Sequence, residues 1–89
     1  MSMEVRNNEE RSRYELSRDG TVVGIADYDL DGDTVVFPHT EIAPSLRGQG
    51  LGEQLVAAAL DDVRRRGLKV RALCWFVRDF IAQRQPRIQ

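Results

Sequence analysis

The sequence predicts an α+β domain: a mixed, mostly antiparallel sheet of about five strands, one main crossover helix after a glycine-rich turn, and a short C-terminal helix. Three observations predict it. Turns rich in Asp and Gly punctuate the first half. The apolar period lengthens from two to helical spacing at Gly50. A strand, a helix and a second strand then follow one another across the glycine turn. With 89 residues the chain has room for one domain, 1–89, and one core.

The polar stretch from Asn7 to Arg13 reads as a turn between two strands. Tyr14-Glu15-Leu16 alternates apolar and polar, and Arg18-Asp19-Gly20-Thr21 carries the Asp-Gly pair of a tight hairpin. Val22 to Tyr28 is rich in β-formers. An acidic turn from Asp29 to Asp33, with Gly32 inside it, leads to the strand from Thr34 to Ile42. Pro38 in that strand has no N–H to give to a ladder, so it belongs at an edge, at a bulge or where two strands part. From Gly50, Leu51, Leu55, Ala58, Ala59 and Asp62, with Val56, Leu60 and Val63, trace a helical face. Arg64 to Arg66 suit the negative end of that helix, and Gly67 suits a left-handed stop. Lys69 to Cys74 reads as the strand that closes the crossover, with Val70, Ala72 and Cys74 on one side. Phe76 with Phe80, and Val77 with Ile81, mark a last helix that Pro86 ends.

A net charge of -1, 42% hydrophobic and 30% charged residues describe an ordinary globular chain. The balance provides no global field for nucleic acid or an anionic membrane, and the arginine groups read as solvated surface near a helix end. The lone Cys74 excludes an internal disulfide and fits a reducing compartment. No stretch approaches the roughly 18 apolar residues of a membrane span, and the first residues lack a signal-peptide core. The expected setting is cytoplasmic, with neither nucleic acid nor membrane as partner and no metal. The expected state is a monomer or a weak homodimer.

The chemistry concentrates in Arg47-Gly48-Gln49-Gly50-Leu51-Gly52. Alternating glycines let a backbone take positive φ and approach a ligand closely. A helix start leaves N–H donors unpaired beside about half a positive charge, which is a diphosphate site, and Arg47 would add a forked cation. No Gly-Lys-Ser/Thr follows, so it is no Walker loop, and the spacing is not that of the dinucleotide fingerprint.

Ile42-Ala-Pro-Ser-Leu-Arg-Gly-Gln-Gly-Leu-Gly52 resembles the core motif of the GNAT superfamily of N-acetyltransferases. His39-Thr40-Glu41 before it and Cys74-Trp75-Phe76 after it resemble a minimal single-domain branch of that superfamily, over about Tyr14 to Ile81. The resemblance implies that acetyl-CoA is the co-substrate. Its diphosphate would lie on the backbone of Arg47, Gly48, Gln49, Gly50, Leu51 and Gly52, and its pantetheine beside Glu41, Ile42 and Ala43. The acceptor would be an amine, on a small molecule or on a protein or peptide. The chain departs from the branch where Ala72 and Trp75 stand near expected prolines, and at Gln85-Pro86. It also lacks the helices that most relatives place between their first two strands.

An alkyl amine with pKa about 10.4 is neutral in only about one molecule in a few thousand at pH 7, so its attack on a thioester needs a base. His39, the one histidine, has a reference pKa of about 6.5 that suits the task, and Glu41 alternates with it on the strand. Cys74 could accept the acetyl group before passing it on, donate a proton to the leaving coenzyme A thiolate, or merely line the pocket. As a nucleophile it needs a cation nearby, and His39 or Arg78 could serve; Arg78 is counted with the cofactor side. The coenzyme's ribose phosphate would fall to Arg84 or Arg87 if the tail folds back. The alternative to catalysis is a coenzyme A or acyl-CoA binding module.

Overall fold

The computed structural model describes residues 2–84. Strands β1 (Met3–Asn8), β2 (Arg13–Arg18), β3 (Thr21–Asp31) and β4 (Thr34–Ile42) form an antiparallel meander. Helix α1 (Leu51–Arg65) then crosses to β5 (Lys69–Ala72), which pairs parallel to β4, and α2 (Trp75–Arg84) follows. The sheet order is β1-β2-β3-β4-β5. This is the mixed, mostly antiparallel α+β architecture that the turns and periods predict. Pro86 and Arg87 lie outside the described residues.

The hairpins form for local reasons. Asp19 and Gly20 both have positive φ, 49° and 87°, the pairing a tight two-residue turn requires. At the next turn the structure corrects the reading: β3 runs on through Asp29, Leu30 and Asp31, which pair with Val36, Val35 and Thr34. Only Gly32 and Asp33 turn, because Gly32 takes φ 61° at the first turn position. The acidic composition of this segment disguised it, since aspartate disfavours strands while cross-strand pairing overrides that preference.

One face of the sheet carries the core. Tyr14, Leu16, Ala26, Tyr28, Val35 and Phe37 point into it, and α1 covers them with Leu55, Val56, Ala59, Leu60 and Val63. Each fully buried large aliphatic there contributes roughly 1.5–3 kcal/mol. The rings of Tyr14, Tyr28 and Phe37 pack within 5.5–6.4 Å of one another. Val77 and Phe80 seal the α2 side. Asp62, which the sequence places on the apolar stripe, is there because the Tyr14 hydroxyl donates to its Oδ2 at 2.6 Å, with Arg66 beside it. Burial, then the bond to Asp62, pushes the Tyr14 phenol above its ordinary range, so it remains a donor. The opposite face of the sheet has no helix over it among the described residues. The connection from β1 to β2 is a single 3₁₀ turn, Glu9–Arg11.

Pro38 sits at a bulge. Asp27 pairs with His39 and Asp29 with Val36, so Tyr28 alone opposes both Phe37 and Pro38. The pairing of β4 with β5 also stops at Phe37. Replacing Tyr14 by Phe deletes the bond to Asp62 on the core side. The expected loss of about 1–2 kcal/mol would be read as a lower midpoint in urea with an unchanged slope.

Candidate active site

The bulge decides what faces where. Before it, Val35 and Phe37 point to the helices. After it the parity changes, so Thr40 and Ile42 turn inward while His39 and Glu41 are exposed on the outer side. Beyond Phe37 and Ala72 the strands β4 and β5 separate. The Phe37 carbonyl accepts from both Leu73 N, at 3.0 Å, and Cys74 N, at 2.9 Å, and this turns the chain out of β5 into α2.

A cleft of about 490 Å³ opens at this split. Its lining includes His39, Glu41, Ile42, Arg47, Gly48, Gly50, Leu51 and Gly52 from the sequence-derived set. Ala43 lies on a neighbouring cavity instead, with Pro44 and Val23, and Gln49 and Arg78 are not among the lining residues. Thr40, Leu46, Glu53 and Phe76 also line the cleft. These the sequence reading missed. Glu53 was legible, three residues past the Gly50 cap, whereas Phe76 arrives by tertiary packing.

The glycines divide the work. Gly48 and Gly50 have φ 83° and 77°, a left-handed backbone that disfavours any side chain. Gly52 is helical, and a Cβ there would lie 2.8 Å from Phe76 Cζ, so it admits the aromatic of α2. The first bond of α1 runs from Gln54 N to Gly50 O. The amides from Gly48 to Glu53 donate to no acceptor among the described residues. They form a row of donors at the positive end of a helix, the chemistry a diphosphate requires. Arg47 stands beside them, its Nε 3.4 Å from Ile42 O.

His39 Nε2 and Glu41 Oε1 are 3.6 Å apart on the outer face, both more than half exposed. Cys74 is not the end of β5, which stops at Ala72. It precedes the first turn of α2, where Arg78 N donates to its carbonyl at 3.0 Å. The strand pattern misled because Cys74 continues the alternation of Val70 and Ala72 by one step. Its Sγ lies 3.6 Å from Thr40 Oγ1. Burial alone would raise the thiol pKa, but the Val77 amide, the Thr40 hydroxyl and the backbone of Phe76 and Thr40 outweigh it, and the net shift is downward. The helix start therefore supplies what the sequence reading sought from His39 or Arg78. His39 points away from the thiol, across the strand.

A crossover domain with a donor-lined glycine turn, opening on a split between parallel strands, is a binding fold for a diphosphate-bearing ligand. Residues 13–89 match the family model of the GCN5-related N-acetyl-transferases. The chain belongs to that family. Among curated proteins it is similar to Protein NATD1 of Xenopus tropicalis, 34% identical over 50 residues, covering 56% of this chain and 46% of that one. It also resembles Protein NATD1 of Danio rerio, 26% identical, with coverage of 91% and 76%. The chain thus spans about half the length of several of these relatives. A GCN5-like protein of Staphylococcus aureus shares the fold with a TM-score of 0.69 at 24% identity, over 93% of this chain and 82% of that one. The N-acetylglutamate synthase of Neisseria gonorrhoeae, solved with coenzyme A and N-acetyl-glutamate, matches at 0.66 and 25% identity, over 85% of this chain and 19% of that one.

Two outcomes are expected. Thr40→Val removes the hydroxyl that accepts from the Cys74 thiol and, once it ionises, donates to the thiolate, so the midpoint of a pH series of iodoacetamide alkylation should move up. Alkylation at neutral pH should slow, because less thiolate is present below the raised pKa. The Glu53 carboxylate lines the cleft beside these free amides, and its charge opposes an anion there. Glu53→Gln should therefore tighten coenzyme A binding about three- to tenfold by calorimetry, more at low salt than at high.

Proposed function

We propose that this domain is an acetyl-CoA-dependent N-acetyltransferase acting on a primary amine. The observation that carries the proposal is the row of unpaired amides from Gly48 to Glu53 on the wall of a cleft that ends at the split of β4 from β5. The coenzyme's diphosphate would take these donors, and pantetheine would run along Glu41 and Ile42 toward the split. That a structural neighbour was solved with coenzyme A supports the assignment.

The acceptor amine approaches from the outer face. His39 takes its proton while the nitrogen attacks the thioester carbon, and Glu41, 3.6 Å away, orients the imidazole. The N–C bond forms, the C–S bond breaks, and the coenzyme leaves as a thiolate that is then protonated. Direct attack is favoured over an acetyl-Cys74 intermediate because His39 and Glu41 line the cleft while Cys74 stands behind Thr40. The outer face, with no helix over it among the described residues, suits an exposed amine on a protein or peptide, and it equally suits the alternative of a coenzyme A binding module. The reading keeps a cytoplasmic setting and a monomer or weak homodimer.

Turnover separates the readings. Incubation with acetyl-CoA and a panel of polyamines, amino acids and lysine peptides should release free thiol. His39→Ala should lower kcat about 10²-fold. Cys74→Ala should retain most of the rate if attack is direct. Coenzyme binding without turnover across the panel would leave the module, and no heat on coenzyme titration would end both.

A further inference from the structure

The cleft does not end at the glycine turn. A second cavity of about 230 Å³, lined by Glu53, Phe76, Asp79, Phe80, Gln83 and Arg84, shares Glu53 and Phe76 with the first. The two adjoin at Glu53 and Phe76 as a trough, with Arg47 lining one part and Arg84 the other. Among the described residues lining the two cavities, Arg47 and Arg84 are the arginines, one in each. From Phe76 to Arg84 the helix rises about 12 Å, enough to hold a nucleoside beyond a diphosphate.

The far end has a specific geometry. Arg84 folds back one turn, and its Cζ lies 3.9 Å from the centroid of the Phe80 ring. Phe80 is buried, so the guanidinium caps the ring. Arg84 itself is exposed, leaving the other side of its plane open. A guanidinium held over a ring in this way offers a stacking face to a second π system and an N–H fork to a phosphate. Of the carboxylates in the trough, Asp79 already accepts from Gln83 Nε2 at 2.9 Å, and Glu53 belongs to the diphosphate end.

We infer that Arg84, laid on Phe80, holds the nucleoside end of the coenzyme, its plane stacking on the adenine and its charge meeting the phosphate on the ribose. The inference rests on the coenzyme reading above and assigns the half of the ligand that the glycine turn does not reach. A ligand bearing a diphosphate alone would leave Arg84 unused.

The test is calorimetric titration of the wild type, Arg84→Ala and Arg84→Lys with coenzyme A, 3′-dephospho-coenzyme A and 4′-phosphopantetheine. Arg84→Ala should weaken coenzyme A about tenfold and leave 4′-phosphopantetheine within about twofold, since that fragment ends before the trough does. Arg84→Lys, charged but not planar, should still distinguish coenzyme A from its dephospho form while binding both more weakly than the wild type. Undiminished binding of coenzyme A by Arg84→Ala would overturn the inference. So would an equal loss for 4′-phosphopantetheine, which would mean a general disturbance of α2. A wild type that binds none of the three ligands would remove the coenzyme reading itself, and this inference with it.

Discussion

The structure depends on one constraint, the missing N–H of Pro38 in the middle of β4. A strand that cannot donate there must either lie at an edge or yield a residue to a bulge. Here it yields, and Tyr28 faces both Phe37 and Pro38. Everything downstream in the sheet follows from the extra residue. Phe37 remains in the core, while His39 and Glu41, which keep its odd numbering, are exposed on the far side. The same point ends the β4–β5 ladder, and the Phe37 carbonyl collects two amides where the strands part. With an ordinary residue and unbroken pairing, His39 would point at the helices and the cleft would be closed by hydrogen bonds.

Much of this was legible in the sequence because the local signals agree with the global fold. Asp19-Gly20 specifies its hairpin, the apolar stripe from Leu51 to Val63 specifies α1, and Gly67, at φ 74°, ends it. Pro38 marked an interruption, although its form, a bulge together with a divergence, is a property of two neighbouring strands and cannot be read from one. The misreadings have a common origin. Asp29 to Asp31 look like a turn, yet they have partners in Val36 to Thr34; Cys74 looks like the end of a strand, yet Phe37 captures its amide first. In each case a cross-strand bond overrode a sound local preference. Phe76 and Thr40 escaped notice as cleft residues for a related reason, since their positions depend on α2 packing against α1 and on the parity change at the bulge.

The glycines show how one motif can combine separate requirements. Gly48 and Gly50 are set by backbone conformation, so even a methyl group would be strained there, although at Gly48 it would meet nothing and at Gly50 only a Glu53 oxygen at 3.8 Å. Gly52 is set by its neighbour, for the ring of Phe76 occupies the place of its Cβ. The sequence presents the three as equivalent. The structure assigns two of them to shaping the donor row and the third to bringing the second helix against the first.

That third contact has an electrostatic result. With Phe76 against Gly52, the first turns of α1 and α2 touch, and both present their positive ends to the region of the split. The unpaired amides of α1 face the cleft, and those of α2 at Phe76 and Val77 hold the Cys74 sulfur. A chain with net charge -1 thus builds a local anion-stabilising region from main-chain dipoles, with Arg47 as the added side-chain cation at the loop. Backbone donors suit such a site better than lysines would. They are fixed by the fold and need no reorganisation when negative charge arrives there. His39 stands at the outer rim of the same cleft, more than half exposed, with its Nε2 3.6 Å from Glu41 Oε1. One proline thus sets both the split that opens the cleft onto this anion-favouring region and the parity that brings the His39–Glu41 pair to its outer rim.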